Sequence, residues 1–109
     1  MDDSDLTLIY TTFPDVESAR RVGGDLVTDG LAACTNILPG MISVFAWEGK
    51  IEQENEVAMI VKTRRALIDA VTRAVVDKHP YDEPAVVALP VTGGSKSFLD
   101  WIRSSTAAA

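Results

Sequence analysis

One cysteine and one histidine are all that 109 residues contain. Cys34 alone can close no intramolecular disulfide, and no thiolate cluster for zinc or an iron–sulfur group can form within one chain. This usage points to a reducing compartment, with the cytoplasm as the expected location. His79 has no second imidazole beside it, so an imidazole-rich metal site would have to be assembled across chains. Basic residues are outnumbered, 10 Lys and Arg against 16 Asp and Glu, for a formal charge of -6. That balance opposes attraction to phosphate backbones and anionic bilayers, so neither nucleic acid nor a membrane is expected as a partner. No apolar run approaches the roughly 18 residues of a spanning helix. Met1-Asp2-Asp3-Ser4-Asp5 is acidic where a signal or transit peptide is basic. The phosphate-cradling patterns G-x-x-x-x-G-K-[ST] and G-x-G-x-x-G are also missing, and Gly93-Gly94-Ser95-Lys96, a glycine pair before a helix, suggests an anion site only weakly. A nucleophile–base pair would need Cys34 and His79, but Cys34 lies in an apolar stretch and reads as inert core, so an enzyme is not expected.

What is present is 47% hydrophobic and 24% charged, the balance of a single globular domain over residues 1–109. A domain of this size buries a modest share of its surface and gains from oligomerising. Residues 1–5 and 104–109 carry no apolar period and are expected to fray. Leu6 to Thr12 is rich in β-branched and aromatic residues and reads as a strand. Asp15 caps a helix in which Val16, Ala19, Val22, Gly23, Leu26 and Val27 recur at helical spacing before Gly30 stops it. Leu31 to Leu38 and Met41 to Trp47 read as one strand kinked at Pro39-Gly40, and Glu48-Gly49-Lys50 as a hairpin break before a return strand, Ile51 to Lys62. Thr63 is placed as the cap of a second helix with the apolar stripe Leu67, Ile68, Val71, Ala74 and Val75, ending near Lys78. Ala85 to Val91 is a strand at an edge because of Pro90, and Lys96 to Arg103 a last helix.

The order β-α-β-β-α-β is that of an α+β, ferredoxin-like fold with a long central hairpin and an appended C-terminal helix. Right-handed crossovers put both main helices on one side of the sheet. A solvated second side would alternate polar with apolar residues, yet Ile42 to Trp47, Val57 to Val61 and Val86 to Leu89 alternate poorly. The helix-free side is therefore expected to be covered by another chain. Phe45, Trp47, Val57, Met59 and Val61 are the residues expected in that interface or in the core. An RNA-recognition module on this fold would need a basic platform with exposed aromatics, and the basic platform is missing. Glu48, Glu52, Glu54 and Glu56 read as a solvated hairpin face that resists edge pairing rather than as a cation site.

His79-Pro80-Tyr81 is the most distinctive segment. A histidine behind a helix C-terminus is either a dipole-stabilised cation or a metal ligand, and Tyr81, Asp82 and Glu83 are close enough in sequence to share its pocket. Lys62, Arg64 and Arg65 stand at a strand-to-helix junction that could hold an anion. Taken with Pro14-Asp15, Leu31-Ala32-Ala33-Cys34, Pro39-Gly40, Ser43 to Ile51, Glu56, Lys62-Thr63, Pro84, Leu89-Pro90-Val91 and Leu99-Asp100-Trp101, the chain resembles the CutA family from about Leu8 to Ile102. The resemblance implies a tight homotrimer whose hairpin wraps the neighbouring subunit, and a cytoplasmic, non-enzymatic role in tolerance of copper and other divalent cations. It also implies an architecture similar to the PII signalling proteins, so the alternative is a PII-like trimer that binds an anionic small molecule or a protein partner. The copper ligands it implies are a cysteine in the first strand, the histidine of H-P-Y and a glutamate after the next proline. Those positions hold Thr11, His79 and Ala85 here, which leaves His79 as the one retained metal candidate. The cleft expected around it between subunits draws on Tyr81, Glu83, Trp101, Lys62 and Arg64.

Overall fold

The computed structural model describes residues 5–107. In chain order it forms β1 (Leu6–Phe13), α1 (Val16–Thr28), β2 (Cys34–Trp47), β3 (Lys50–Arg64), α2 (Ile68–Lys78, entered through a 3-10 turn at Arg65–Leu67), β4 (Val86–Pro90) and α3 (Lys96–Ser104). The strands make one antiparallel sheet in the order β2-β3-β1-β4. This is the α+β, ferredoxin-like order expected from the sequence, with Pro90 in an edge strand, where its missing N–H breaks no ladder.

Local chemistry accounts for most of these boundaries. The Asp15 carboxylate accepts the Ser18 N–H at 2.7 Å, which satisfies one of the unpaired donors at the start of α1. Gly30, at φ +73, follows the end of that helix. The hairpin closes in two residues, because Trp47 pairs with Lys50 across Glu48 and Gly49. Both have positive φ, 49° and 78°, the left-handed pair that lets a two-residue turn follow the twist of its strands. The kink in β2 is a register shift between Leu38 and Met41, at Pro39-Gly40.

Alternation along the strands gives the sheet two unlike faces. Ile9 and Phe13 of β1 and Val57, Met59 and Val61 of β3 share one face, and Ala19, Val22 and Leu26 of α1 with Val71 and Val75 of α2 close over it. Of the residues assigned to interface or core, Val57, Met59 and Val61 are therefore core. Packing is close at Gly23, where a Cβ would stand 2.9 Å from both Met59 Sδ and Thr35 Oγ1. The register puts Leu8, Tyr10, Leu38, Ile60, Val87 and Leu89 on the other face. There α3 covers one end, with Leu99 and Ile102 packed on Leu6 and Ala33. The remainder of that face is open, and Leu38, Val87 and Leu89 are exposed. Past the bulge the β2–β3 hairpin leaves the body, which stretches the chain to 47 Å against 25 and 22 Å in the other directions. Ile42, Val44, Trp47 and Ile51 there are 63%, 60%, 62% and 74% exposed, and Phe45 is exposed beside them. Among the described residues no helix is long and apolar enough to cross a membrane.

One expectation is corrected. Thr63 does not cap α2: it lies fully buried in β3, which pairs with β1 as far as Leu6 opposite Arg64. Its hydroxyl donates to the Leu31 carbonyl at 2.6 Å, and α2 starts without a side-chain cap. The described parts of the chain ends make specific contacts. Asp5 meets the Arg103 guanidinium at 2.8 and 2.9 Å, and its carbonyl accepts the Arg65 N–H at 2.7 Å. Ala107 donates to the Gly30 carbonyl at 2.7 Å, while Arg64 donates to Thr106 Oγ1 and to the Ala107 carbonyl. Of the ends expected to fray, residues 1–4 and 108–109 lie outside the described residues.

The position of Met59 gives a direct test. A carboxylate at this fully buried site would cost several kcal/mol, a large part of the total stability of a small domain. Met59→Asp is expected to abolish the cooperative thermal transition seen by circular dichroism. A wild-type-like transition would contradict the assignment of this strand face to the core.

Candidate functional site

The end of α2 brings the chain back to the end of β1. His79 follows Lys78 in an extended conformation, φ -78 and ψ 141, so its ring leaves the helix axis. The ring stacks on Phe13 with centroids 4.4 Å apart and planes 18° from parallel, anchoring it to a fully buried side chain. Its Nε2 lies 2.6 Å from the Thr12 carbonyl oxygen, and its Nδ1 accepts the Tyr81 N–H at 3.0 Å. The Tyr81 ring then sits 4.9 Å from the imidazole, and its hydroxyl donates to Glu56 Oε2 at 3.1 Å. Partial burial, helped by the hydrogen bond and charge of Glu56, pushes the Tyr81 phenol up to about 12.

The histidine's two ring nitrogens both meet backbone groups, one a carbonyl and one an amide, and neither bonds the last carbonyls of α2. The two other positions implied for copper fare no better. Thr11 is fully buried on the helix-covered face with its hydroxyl unpartnered, and Ala85 offers a methyl group. Among the described residues no group of three or more His, Cys, Asp or Glu side chains converges. The residues present do not fit a copper site within one chain.

The other cleft residues separate into two places. Glu83 is exposed on the loop beyond Tyr81. Lys62, Arg64 and Trp101 stand at the opposite end of the sheet, where Lys62 pairs with Leu8 and Arg64 with Leu6, whereas His79 meets Thr12. At the rise of an extended strand those ends of β1 are about 20 Å apart. Lys62 Nζ lies over the Phe98 ring at 5.3 Å, and Phe98 packs on Trp101 at 5.5 Å. The Arg64 guanidinium is committed to the C-terminal segment. Of the expected anion-binding set, Arg65 lines a groove of about 600 Å³ with Leu6, Thr7, Ile68, Leu89 and Pro90, and Arg64 and Arg65 line a second one with Asp5 and Ala66.

Sequence reasoning placed Glu56 among the hairpin carboxylates but missed its bond to Tyr81, 25 residues away. The β1–β3 register, which sets Glu56 next to the last pair Phe13–Val57, and the return of α2 to the end of β1 decide that meeting, and no local signal carries it. Phe13 and the Thr12 carbonyl were missed as partners of His79 for the same reason.

A family model described as CutA1 divalent ion tolerance protein matches residues 7–105. A rice relative (Oryza sativa subsp. japonica), "Protein CutA 1, chloroplastic", is 44% identical over 99 residues, covering 91% of this chain and 56% of its own. The chain therefore spans about half the length of the plant relatives it matches. The "Divalent-cation tolerance protein CutA" of Pectobacterium atrosepticum is 40% identical over 101 residues, covering 93% of this chain and 92% of the relative. The crystal structure of CutA1 from Oryza sativa superposes with a TM-score of 0.93 at 42% identity, covering 95% of each chain.

The Tyr81 phenol sets a pH dependence of known sign. The unfolded chain loses this proton near the ordinary value of 10.0 and the folded chain near about 12. Between those values the folded state holds the proton and the unfolded state does not, so stability contributed by the group is lost as pH rises. Chemical denaturation between pH 9 and 12 is expected to show a shallower decline for Tyr81→Phe than for the wild type. Equal slopes would contradict the Tyr81–Glu56 pairing.

Proposed function

The chain belongs to the CutA1 divalent ion tolerance family, and on that premise we propose that it is a non-enzymatic homotrimer serving tolerance of, or response to, divalent metal ions such as copper. The observation that carries this reading is the apolar surface that one chain leaves open. The second face of the sheet and both faces of the projecting hairpin present Leu38, Val44, Trp47, Ile51, Val87 and Leu89 to solvent. A single subunit would keep a patch of a kind that marks association, and a closed ring of three copies covers it. Phe45 and Trp47 then belong to the contact between subunits. Assembly then brings the His79–Tyr81–Glu83 end of one sheet and the Lys62–Arg64–Trp101 end of a neighbouring one into common clefts. A divalent cation or small ligand is held there weakly, by groups from more than one chain.

Catalysis has little to draw on. Cys34 pairs with Lys62 at one end of the sheet and His79 meets Thr12 at the other, so the one thiol and the one imidazole of a chain do not form a nucleophile–base pair. The cytoplasm is the compartment we assign, because the unpaired thiol suits a reducing environment. A second reading, a PII-like signalling or scaffold trimer with an anionic ligand or protein partner, draws on the groove beside Arg65.

Calorimetric titration of the metal-stripped protein with Cu²⁺, with the mass in solution recorded, tests the first reading. The wild type is expected to take up Cu²⁺ at a fixed ratio per trimer. Val44→Asp, which charges an exposed hairpin position, is expected to leave the subunit folded but separate the chains and lose that uptake. An intact trimer without saturable uptake would contradict direct cation binding. A trimeric Val44→Asp protein would contradict the role given to the hairpin. A rise in melting temperature with anionic metabolites and none with Cu²⁺ would favour the second reading.

A further inference from the structure

We propose that His79 is a positioning residue, a neutral two-ended clamp that ties the turn after α2 to the end of β1 and sets Tyr81 on Glu56, and that it is not a metal ligand in this chain. The geometry assigns the proton. A backbone N–H can only donate, so the Nδ1 that meets the Tyr81 amide at 3.0 Å must carry a bare lone pair. A carbonyl oxygen can only accept, so the Nε2 that lies 2.6 Å from Thr12 must carry the hydrogen. The imidazole is therefore neutral and in its Nε2–H form. Its orientation is fixed by the stack on Phe13.

A ring held in this way has no lone pair left for a cation. Coordination through Nδ1 would displace the Tyr81 amide. Coordination through Nε2 would break the bond to Thr12 and move the hydrogen to Nδ1, where it would face the Tyr81 N–H. This holds whichever chain supplies the other ligands, so trimer formation does not restore a site. Thr11 and Ala85, at the other two implied positions, add no donor that reaches the ring: one is buried on the helix-covered face and the other ends in a methyl group. Glu56, the carboxylate nearest in the chain of contacts, already accepts the Tyr81 hydroxyl. What the clamp does instead is mechanical. It links α2, β1 and the hairpin strand β3 through one continuous path, Thr12 to His79 to Tyr81 to Glu56, and fixes the start of the 79–85 connection to β4. The inference goes beyond the proposed cation response, which needs assembly but not this imidazole.

The chain has a single histidine, so its imidazole nitrogens can be read without ambiguity in the intact, ¹⁵N-labelled protein. Two-bond ¹H–¹⁵N correlation at pH 7.5 is expected to show the Nε2–H form with an unprotonated Nδ1. Both shifts are expected to stay unchanged when equimolar Zn²⁺ is added. The Nδ1–H form, an imidazolium, or a Zn²⁺-dependent shift saturating at one ion per chain would overturn the proposal. Amide exchange at Tyr81 supplies a second readout. It should quicken by roughly tenfold in His79→Ala, the scale set by loss of one hydrogen bond, and slow again in His79→Asn, whose amide oxygen can take the place of Nδ1. Unchanged protection in His79→Ala would also overturn the clamp. Cu²⁺ uptake by His79→Ala should match that of the wild type, and loss of uptake in that variant alone would make His79 a ligand. Failure of the wild type itself to take up Cu²⁺ would count against the cation reading, while the clamp would stand or fall on the imidazole spectrum.

Discussion

A β-sheet has two faces, and this chain has helices enough for one of them. The residues of β3 show the consequence. Val57, Met59 and Val61 point into a core closed by α1 and α2, while Ile60 and its neighbours Leu8, Tyr10, Leu38, Val87 and Leu89 point to a side where α3 covers only one end. Because side chains alternate strictly along a strand, a chain cannot turn its second apolar face inward without turning the first one out. The apolar hairpin, which extends beyond the body, repeats the problem without any helix at all. The proposed association of further copies would bury such a surface, which a chain of this length has little other means to cover.

The same frame decides what the H-P-Y segment can do. The long antiparallel strands fix which backbone atoms arrive at each end of the sheet, and the carbonyl of Thr12 arrives where α2 ends. A histidine there meets backbone on both sides of its ring. Backbone groups are the least forgiving partners, since each has a fixed role as donor or acceptor. The imidazole of His79 meets a backbone acceptor through Nε2 and a backbone donor through Nδ1, the arrangement behind the structural role proposed for it. At the other end of the sheet the cations Lys62 and Arg64 are similarly spent, one over an aromatic ring and one on the C-terminal segment.

The fold was legible in the sequence wherever the cause was local. Asp15 and Gly30 bracket α1, Glu48-Gly49 marks the hairpin, and Pro39-Gly40 marks the kink in β2. The misreading fell where a distant partner decided the outcome. Thr63 looks like a helix cap in isolation, but the pairing of Leu6 with Arg64 extends β3 past it, and its hydroxyl finds the Leu31 carbonyl 32 residues away. The contact of Asp5 with Arg103, 98 residues later, is likewise invisible to local reading. The site was legible as residues and not as geometry. His79 and Tyr81 stood out at once, whereas Thr12, Phe13 and Glu56, which determine what those residues do, carry no mark of that role in the sequence.

The central proposal is that further copies of the chain close the apolar surface that one copy leaves open. Sedimentation equilibrium of the wild-type protein over a wide range of concentrations, in metal-free buffer, tests it most directly. A single species of three times the 11.7 kDa of one chain, unchanged on dilution and without any metal, is the predicted result. A folded, stable monomer at micromolar concentration would contradict the account.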